Sequence, residues 1–170
     1  DHRLIGLPSS GLHTNGYSLA RKVLLDMLSL RTDDPAPGGG GTVSEVLLRV
    51  HRSYRRAVLP LMDEGLVAGA AHITGGGIPD NLPRCLPAGL GAELDLGSWV
   101  EPRVFGAIRD GGRVPEPEMR RTFNLGVGMI LVVAAEHSEE VISRLSGEGG
   151  WLLGSVVEGA GVRCVGSRHG

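Results

Sequence analysis

Two cysteines, Cys85 and Cys164, are too few for a disulfide framework and form no CxxC pair, so the 170-residue chain reads as a cytoplasmic protein with reduced thiols. Lysine is nearly missing: Lys22 is the single lysine among 17 basic residues, a bias that, with 28 glycines, fits a GC-rich genome. Set against 19 acidic residues, those bases leave a net charge of −2. Nucleic-acid binding draws most of its affinity from phosphate neutralisation, so the absence of a basic excess excludes it. No apolar run approaches the roughly 20 residues that cross a bilayer; the longest runs from Leu125 to Ala135. No charged-then-apolar segment opens the chain, and the start at Asp1-His2-Arg3 without Met reads as that of a fragment or processed piece. Three signatures are also missing: a Gly-Lys-Ser/Thr phosphate loop, a GxGxxG turn between strand and helix, and a GxSxG elbow.

What is present is ordinary for a folded domain, with 41% hydrophobic and 21% charged residues. The length suffices for one domain with its own core. Arg3–Leu7 reads as the end of a strand, followed by a polar loop. From Ser18 apolar residues recur at helical spacing until about Arg31. The stretch Pro35 to Gly41 reads as a mobile surface loop. Thr42 to Glu45 is a capping box opening a helix, and a further helix is expected from Tyr54 to Glu64. Strands are expected at 67–73, 92–96 and 127–134, with helices at 103–110 and 117–121. Ser138 is expected to cap a helix to Leu145, and Pro79 stands at a plausible first helical position. Trp151–Val157 and Val162–Val165 read as a closing strand pair about the turn at 158–161. This interspersion fits a single α+β or mixed layered domain over residues 1–170.

Three segments could carry chemistry. In AHITGGGIPDN, a strand ending at His72 runs into Thr74, Gly75, Gly76 and Gly77 and then a helix start. Glycine amides can converge on one anion there, with the Thr74 hydroxyl as a further donor; a tight turn needing positive φ is the plain alternative. In SSGLHTNG, Ser10, His13 and Asn15 crowd into one short loop, where helix capping would explain a hydroxyl or amide but not His13. His72 is either a satisfied core histidine or a participant in chemistry. No third ligand stands at metal-site spacing from these two histidines, so no metal site is expected. In EMRRTFNLGVGM, Phe123 and Met129 read as core, while Asn124 serves a turn or a ligand. Arg49, Arg52 and Arg56 would share a helix face, either solvated or contacting an anion or another domain. Trp99 reads as a packing anchor.

SSGLHTNGYSLARKVL at Ser9, AHITGGGIPDNLPRCLP at Ala71, EMRRTFNLGVGM at Glu118 and the weaker SWVEPRVF at Ser98 together resemble the C-terminal domain of the phosphoribosylformylglycinamidine cyclo-ligase (aminoimidazole ribonucleotide synthetase) family. The motifs stand in family order. One departure is clear: where the family pattern resembles LLxPTRxY, this chain has Val50 and His51 in place of Pro and Thr, so the contact from that threonine is in doubt, while Arg52 and Tyr54 match.

The resemblance implies an α+β, three-layer domain with a mixed sheet flanked by helices, partly ferredoxin-like. It implies ATP-dependent ring closure of formylglycinamidine ribonucleotide to aminoimidazole ribonucleotide in purine biosynthesis. ATP and Mg2+ would be bound mainly by an N-terminal domain absent from this chain, and the full-length enzyme would be a homodimer. By the same resemblance, Thr74, Gly75, Gly76 and Gly77 would anchor the substrate phosphate. His13, His72 and Asn15 would take the polar and proton-transfer roles, with Ser10, Arg52 and Asn124 as other substrate or ATP contacts. The isolated chain would be inactive. Another ATP-dependent enzyme of the same superfamily, or a stand-alone phosphate-binding module, are the competing readings.

Overall fold

The computed structural model describes residues 1–167. Strands β1 (His2–Pro8), β2 (Gly69–His72), β3 (Leu90–Asp95), β4 (Val127–Ala134), β5 (Trp151–Glu158) and β6 (Val162–Val165) form one sheet, in the order β2-β4-β1-β5-β3-β6. The helices are α1 (Tyr17–Arg21), α2 (Val43–Leu47), α3 (Arg55–Asp63), α4 (Gly77–Asn81), α5 (Arg103–Gly112), α6 (Glu116–Thr122) and α7 (Ser138–Arg144). All strand pairs are antiparallel except β3 with β6.

Alternation of side chains along each strand divides the core in two across the sheet. Ile5, Leu7, Leu131 and Val133 face α3 and α7, packing on Val58, Leu61, Val141 and Leu145. Leu4, Ile130 and Val132 face the other way, onto Ile78 and Leu82. A bulge between Leu4 and Ile5 lets Leu153 of β5 turn inward on that second face. A third cluster joins α1, α2, α5 and α6 around Phe105 and Phe123. The result is the expected mixed sheet flanked by helices, an α+β architecture.

Several local readings needed correction. The final strands do not pair with each other. Residues 159–161 carry the chain past the start of β3, so β6 lies parallel to β3 on the side away from β5. Ala92 N–H donates to Gly161 O at 2.9 Å, and a Cβ on Gly91 would stand 2.7 Å from that same oxygen. The crossing therefore needs the close backbone approach that glycine permits.

The first helix is regular only through Arg21; Lys22–Met27 widens into a π-helical stretch, and Leu28 N–H bonds Val23 O at 2.9 Å. It stops near Ser29, which has φ 53, rather than at Arg31. The Thr42–Glu45 capping box is formed reciprocally, but α2 ends at Leu47. Residues 49–54 lie between helices, so Arg49, Arg52 and Arg56 share no helix face. Ser138 lies inside α7, its hydroxyl bonding Ala135 O at 2.8 Å, while His137 holds the cap position. Pro79 is the third residue of α4, behind a left-handed Gly76. The 35–41 loop is closed on itself by Ala36 N–H to Gly41 O at 2.9 Å.

Candidate functional site

The topology places the motifs. β1 and β2 both run antiparallel to β4, so their C-terminal ends emerge together at the edge where Asn124-Leu125-Gly126 enters β4. Loops 8–16 and 73–77 therefore meet, although more than fifty residues separate them in sequence.

Asn124, 1% exposed, ties that edge together. Its Oδ1 accepts from Ser9 Oγ at 2.9 Å and Gly126 N–H at 2.8 Å, and its Nδ2 donates to Gly11 O at 2.8 Å. These bonds tie the loop after β1 to the start of β4.

His13 and Thr14 adopt φ 52 and 60 in succession, left-handed conformations that non-glycine residues rarely take. Thr14 Oγ1 and Asn15 Nδ2 both donate to His13 O, at 2.6 and 2.9 Å, and hold the turn. The turn drives His13 inward, to 2% exposure, over Gly128. A Cβ at Gly128 would stand 1.9 Å from the Tyr54 hydroxyl and 2.9 Å from His13 Cε1, so the glycine makes room for both rings.

His13 Nε2 accepts from Ser10 N–H at 2.9 Å, so the proton of the neutral ring resides on Nδ1. Nδ1 is buried and has no hydrogen-bond partner among the described residues. Ser10 Oγ lies 3.0 Å from the same Nε2 and donates to Val50 O at 2.7 Å.

His51 stacks on His13, with ring centroids 3.9 Å apart and planes at 19°. Its Nε2 lies 3.0 Å from His72 Nε2. Burial, followed by the charges of His51, His72 and Arg52, lowers the His13 pKa to about 4. Partial burial and then His51 also lower that of His72, whose outer edge reaches solvent. Tyr54 closes the group: its hydroxyl donates to Pro8 O at 2.8 Å, and burial raises its pKa to about 12 against the opposing charge of Arg52. Arg52 lies 5.6 Å over the Tyr54 ring and is held by Glu148 and Pro8 O. His51, Arg52, Tyr54, His72 and Met129 line an open groove of about 520 Å3.

The glycine loop folds about Asn81, 6% exposed, whose Nδ2 donates to Gly75 O at 3.2 Å and Gly77 O at 2.8 Å. Thr74 Oγ1 donates to Asn81 Oδ1 at 3.3 Å. Gly76 and Gly77 have conformational reasons to be glycine, with φ 93 and 61, and a Cβ on Gly77 would stand 1.8 Å from Arg120 O. Gly75 has no positive φ, and Asn15 Oδ1, 3.8 Å away, is the one atom near its missing Cβ. A Cβ at Gly75 would stand in ordinary contact with Asn15 Oδ1, so the two loops touch at this point.

Ser10, His13, Asn15, His72 and Thr74 to Gly77 thus form one neighbourhood. Arg52 stands at its flank, and Asn124 beneath it. Sequence reasoning missed His51, Tyr54 and Asn81. The departure at His51 from the family pattern was a visible signal, but its meaning depended on a fold that brings residue 51 beside 13 and 72.

The fold is shared with several solved structures. Thiamine-monophosphate kinase from Stenotrophomonas maltophilia superposes with a TM-score of 0.60 over 99% of this chain and 51% of its own, at 16% identity. HypE, a hydrogenase maturation protein of E. coli, does so with 0.57 over 96% of this chain and 46% of its own, at 22% identity. T. maritima PurL complexed with FGAR gives 0.52 over 96% of this chain and 25% of its own, at 18% identity.

Residues 1–167 match the family described as AIR synthase related protein, C-terminal domain, and the chain belongs to that family. Phosphoribosylformylglycinamidine cyclo-ligase from Citrifermentans bemidjiense is 50% identical over 96% of this chain and 48% of its own length. That from Sorangium cellulosum is 53% identical over 91% and 45%, and that from Bacillus subtilis 45% identical over 95% and 47%. The chain spans about half the length of these relatives.

Proposed function

We propose that this chain is the substrate-holding C-terminal half of an ATP-dependent phosphoribosylformylglycinamidine cyclo-ligase of purine biosynthesis, converting formylglycinamidine ribonucleotide to aminoimidazole ribonucleotide. The observation that carries the reading is the meeting of the Ser10–Asn15 loop with the Thr74–Gly77 loop at one sheet edge, in a chain of this family. The bare backbone at Gly75 is where the substrate's 5′-phosphate would approach, with loop amides as donors, while the Thr74 hydroxyl, donating to Asn81 Oδ1, holds the loop in shape. Asn15 stands across from it to orient the substrate.

In the proposed reaction the amide oxygen of the substrate is phosphorylated by ATP, and a substrate nitrogen then attacks the same carbon. The C–O bond to the phosphoryl group breaks and phosphate leaves. The proton released by the attacking nitrogen passes to a neutral imidazole, for which His72 is best placed at the solvent-facing edge. Buried His13, held by Ser10, positions the loop.

The donors here are imidazole, hydroxyl and amide groups, with one carboxylate, Asp80, beside Gly76. That set does not suit Mg2+, which takes carboxylate, phosphate and water oxygens. No step is assigned to the ion in this half, and its site, with most of the ATP contacts, belongs to an N-terminal half. That half would also make the homodimer, in the cytoplasm.

The test is turnover by the full-length protein containing this chain. ATP-dependent formation of aminoimidazole ribonucleotide, reduced by Gly75→Asp through a raised KM for the ribonucleotide, supports the reading. Phosphorylation of a different small molecule, without ring closure, would replace it with a kinase of the same fold.

A further inference from the structure

His13, His51 and His72 come from three separate segments: the strained loop after β1, the irregular link between α2 and α3, and the last residue of β2. Each offers one imidazole nitrogen, and these three atoms lie within 4.8 Å of one another. We propose that the three imidazoles form a binding site for a divalent ion of the zinc class (Zn2+, Co2+ or Ni2+), with an open coordination position facing the groove.

Spacing along the chain could not reveal such a site, because its ligands are 38 and 21 residues apart and are joined only by the sheet. The three nitrogens are close together, but the His13 and His51 rings are stacked with planes at 19°, so one of them must rotate about its side-chain bonds to aim its nitrogen at a shared ion. Two nitrogens at ~2.0–2.1 Å from a tetrahedral centre sit about 3.3 Å apart, and His51 Nε2 and His72 Nε2 are already 3.0 Å apart. The widest pair would close by about 1.5 Å to reach the same span.

A second observation also points to a ligand. His13 is 2% exposed, and its Nδ1 has no hydrogen-bond partner among the described residues, an expensive condition for a buried polar atom. For Nδ1 to hold an ion the ring proton must move to Nε2, giving up the bond from the Ser10 amide. Ser10 Oγ, 3.0 Å away and donating its own proton to Val50 O, then accepts from Nε2–H, the outer bond by which metal-binding histidines are commonly oriented.

The donor chemistry selects the metal. Three neutral nitrogens with no carboxylate among them disfavour Mg2+ and Ca2+, which take oxygen, and suit borderline ions. Three imidazoles leave a tetrahedral ion one position for water or a ligand atom. Here that position faces the groove, since His72 reaches solvent while His13 closes the back.

An ion on His72 would occupy the lone pair that the proposed proton transfer uses, so the ion-bound form is distinct from the form that turns over, and the site is tested without the ligase reaction. The full-length protein, free of any histidine tag and treated with chelator, is titrated with ZnCl2 by calorimetry and with CoCl2 by visible absorption. One equivalent of Zn2+ should bind, and Co2+ should develop the intense d–d bands of a low-coordinate nitrogen site. Loss of an outer-shell partner alone costs ~10–100-fold in metal affinity, so His51→Thr and His72→Ala should each weaken binding at least about tenfold. Circular dichroism confirms that both variants are folded, and His137→Gln serves as the unaffected control. Absence of saturable binding, absence of the cobalt bands, or affinity that survives His51→Thr and His72→Ala would each overturn the proposal.

Discussion

The backbone N–H of Ser10 donates to Nε2 of His13 at 2.9 Å, and that bond determines which nitrogen of the buried ring carries the proton. A proton added to the ring would have to go onto Nε2, breaking the bond and placing a charge beside His51, His72 and Arg52.

Stability should therefore fall in acid. Unfolded His13 takes a proton near pH 6.5, whereas the folded ring does so only at about 4, so between these values the unfolded state binds more protons. The stability contributed by the neutral ring is full above 6.5 and is lost as pH falls toward 4, by on the order of 2 kcal/mol at pH 5. Urea midpoints of the protein at pH 7 and pH 5 measure the loss, and His13→Gln should flatten it. An unchanged pH slope in that variant would discard the assignment.

Asn124→Ala removes three hydrogen bonds at the strand edge and leaves the Gly11 carbonyl and Gly126 amide without this partner. A cost of about 2–4 kcal/mol is expected from chemical denaturation. A change below about 1 kcal/mol would show that water replaces the side chain at little cost.

The glycines of the 74–77 loop should separate by role. Gly77→Ala drives a Cβ into Arg120 O and should cost more than about 2 kcal/mol of stability. Gly75→Ala places its Cβ in ordinary contact, 3.8 Å from Asn15 Oδ1, and should stay within about 1 kcal/mol, while raising the KM for the ribonucleotide. Equal KM in Gly75→Ala and the parent protein would move the phosphate anchor elsewhere.

His72→Ala in the full-length protein should lower kcat by roughly 10²–10⁴ if the imidazole takes the ring-closing proton. The acid limb of the pH profile should fall below the ordinary histidine value, because burial and His51 lower the His72 pKa. Unchanged turnover removes His72 from the mechanism.

The isolated chain, though folded, should show no ring closure with ATP; measurable turnover would mean that this half carries the whole reaction.

The sequence by itself determined what local forces decide. The run at 127–134 reads as a strand and the Thr42–Glu45 box as a helix start, and both stand in the structure; the tight turn, the plain alternative to an anion cradle at Gly76 and Gly77, is also there. The motifs also carried the family, since their residues and order survive in one chain. Tertiary structure decided what depends on distant partners. The path of β6 to the far side of β3 turns on a backbone approach at Gly91, which no turn at 158–161 records. The burial of His13 follows from two left-handed residues and from room left by Gly128. The meeting of His13, His51 and His72 exists because β1 and β2 flank the same strand and end on the same side. Hydrophobic periodicity acts over a few residues and can be read along the chain, whereas a constellation of side chains is set by strand order, which only the packed sheet establishes.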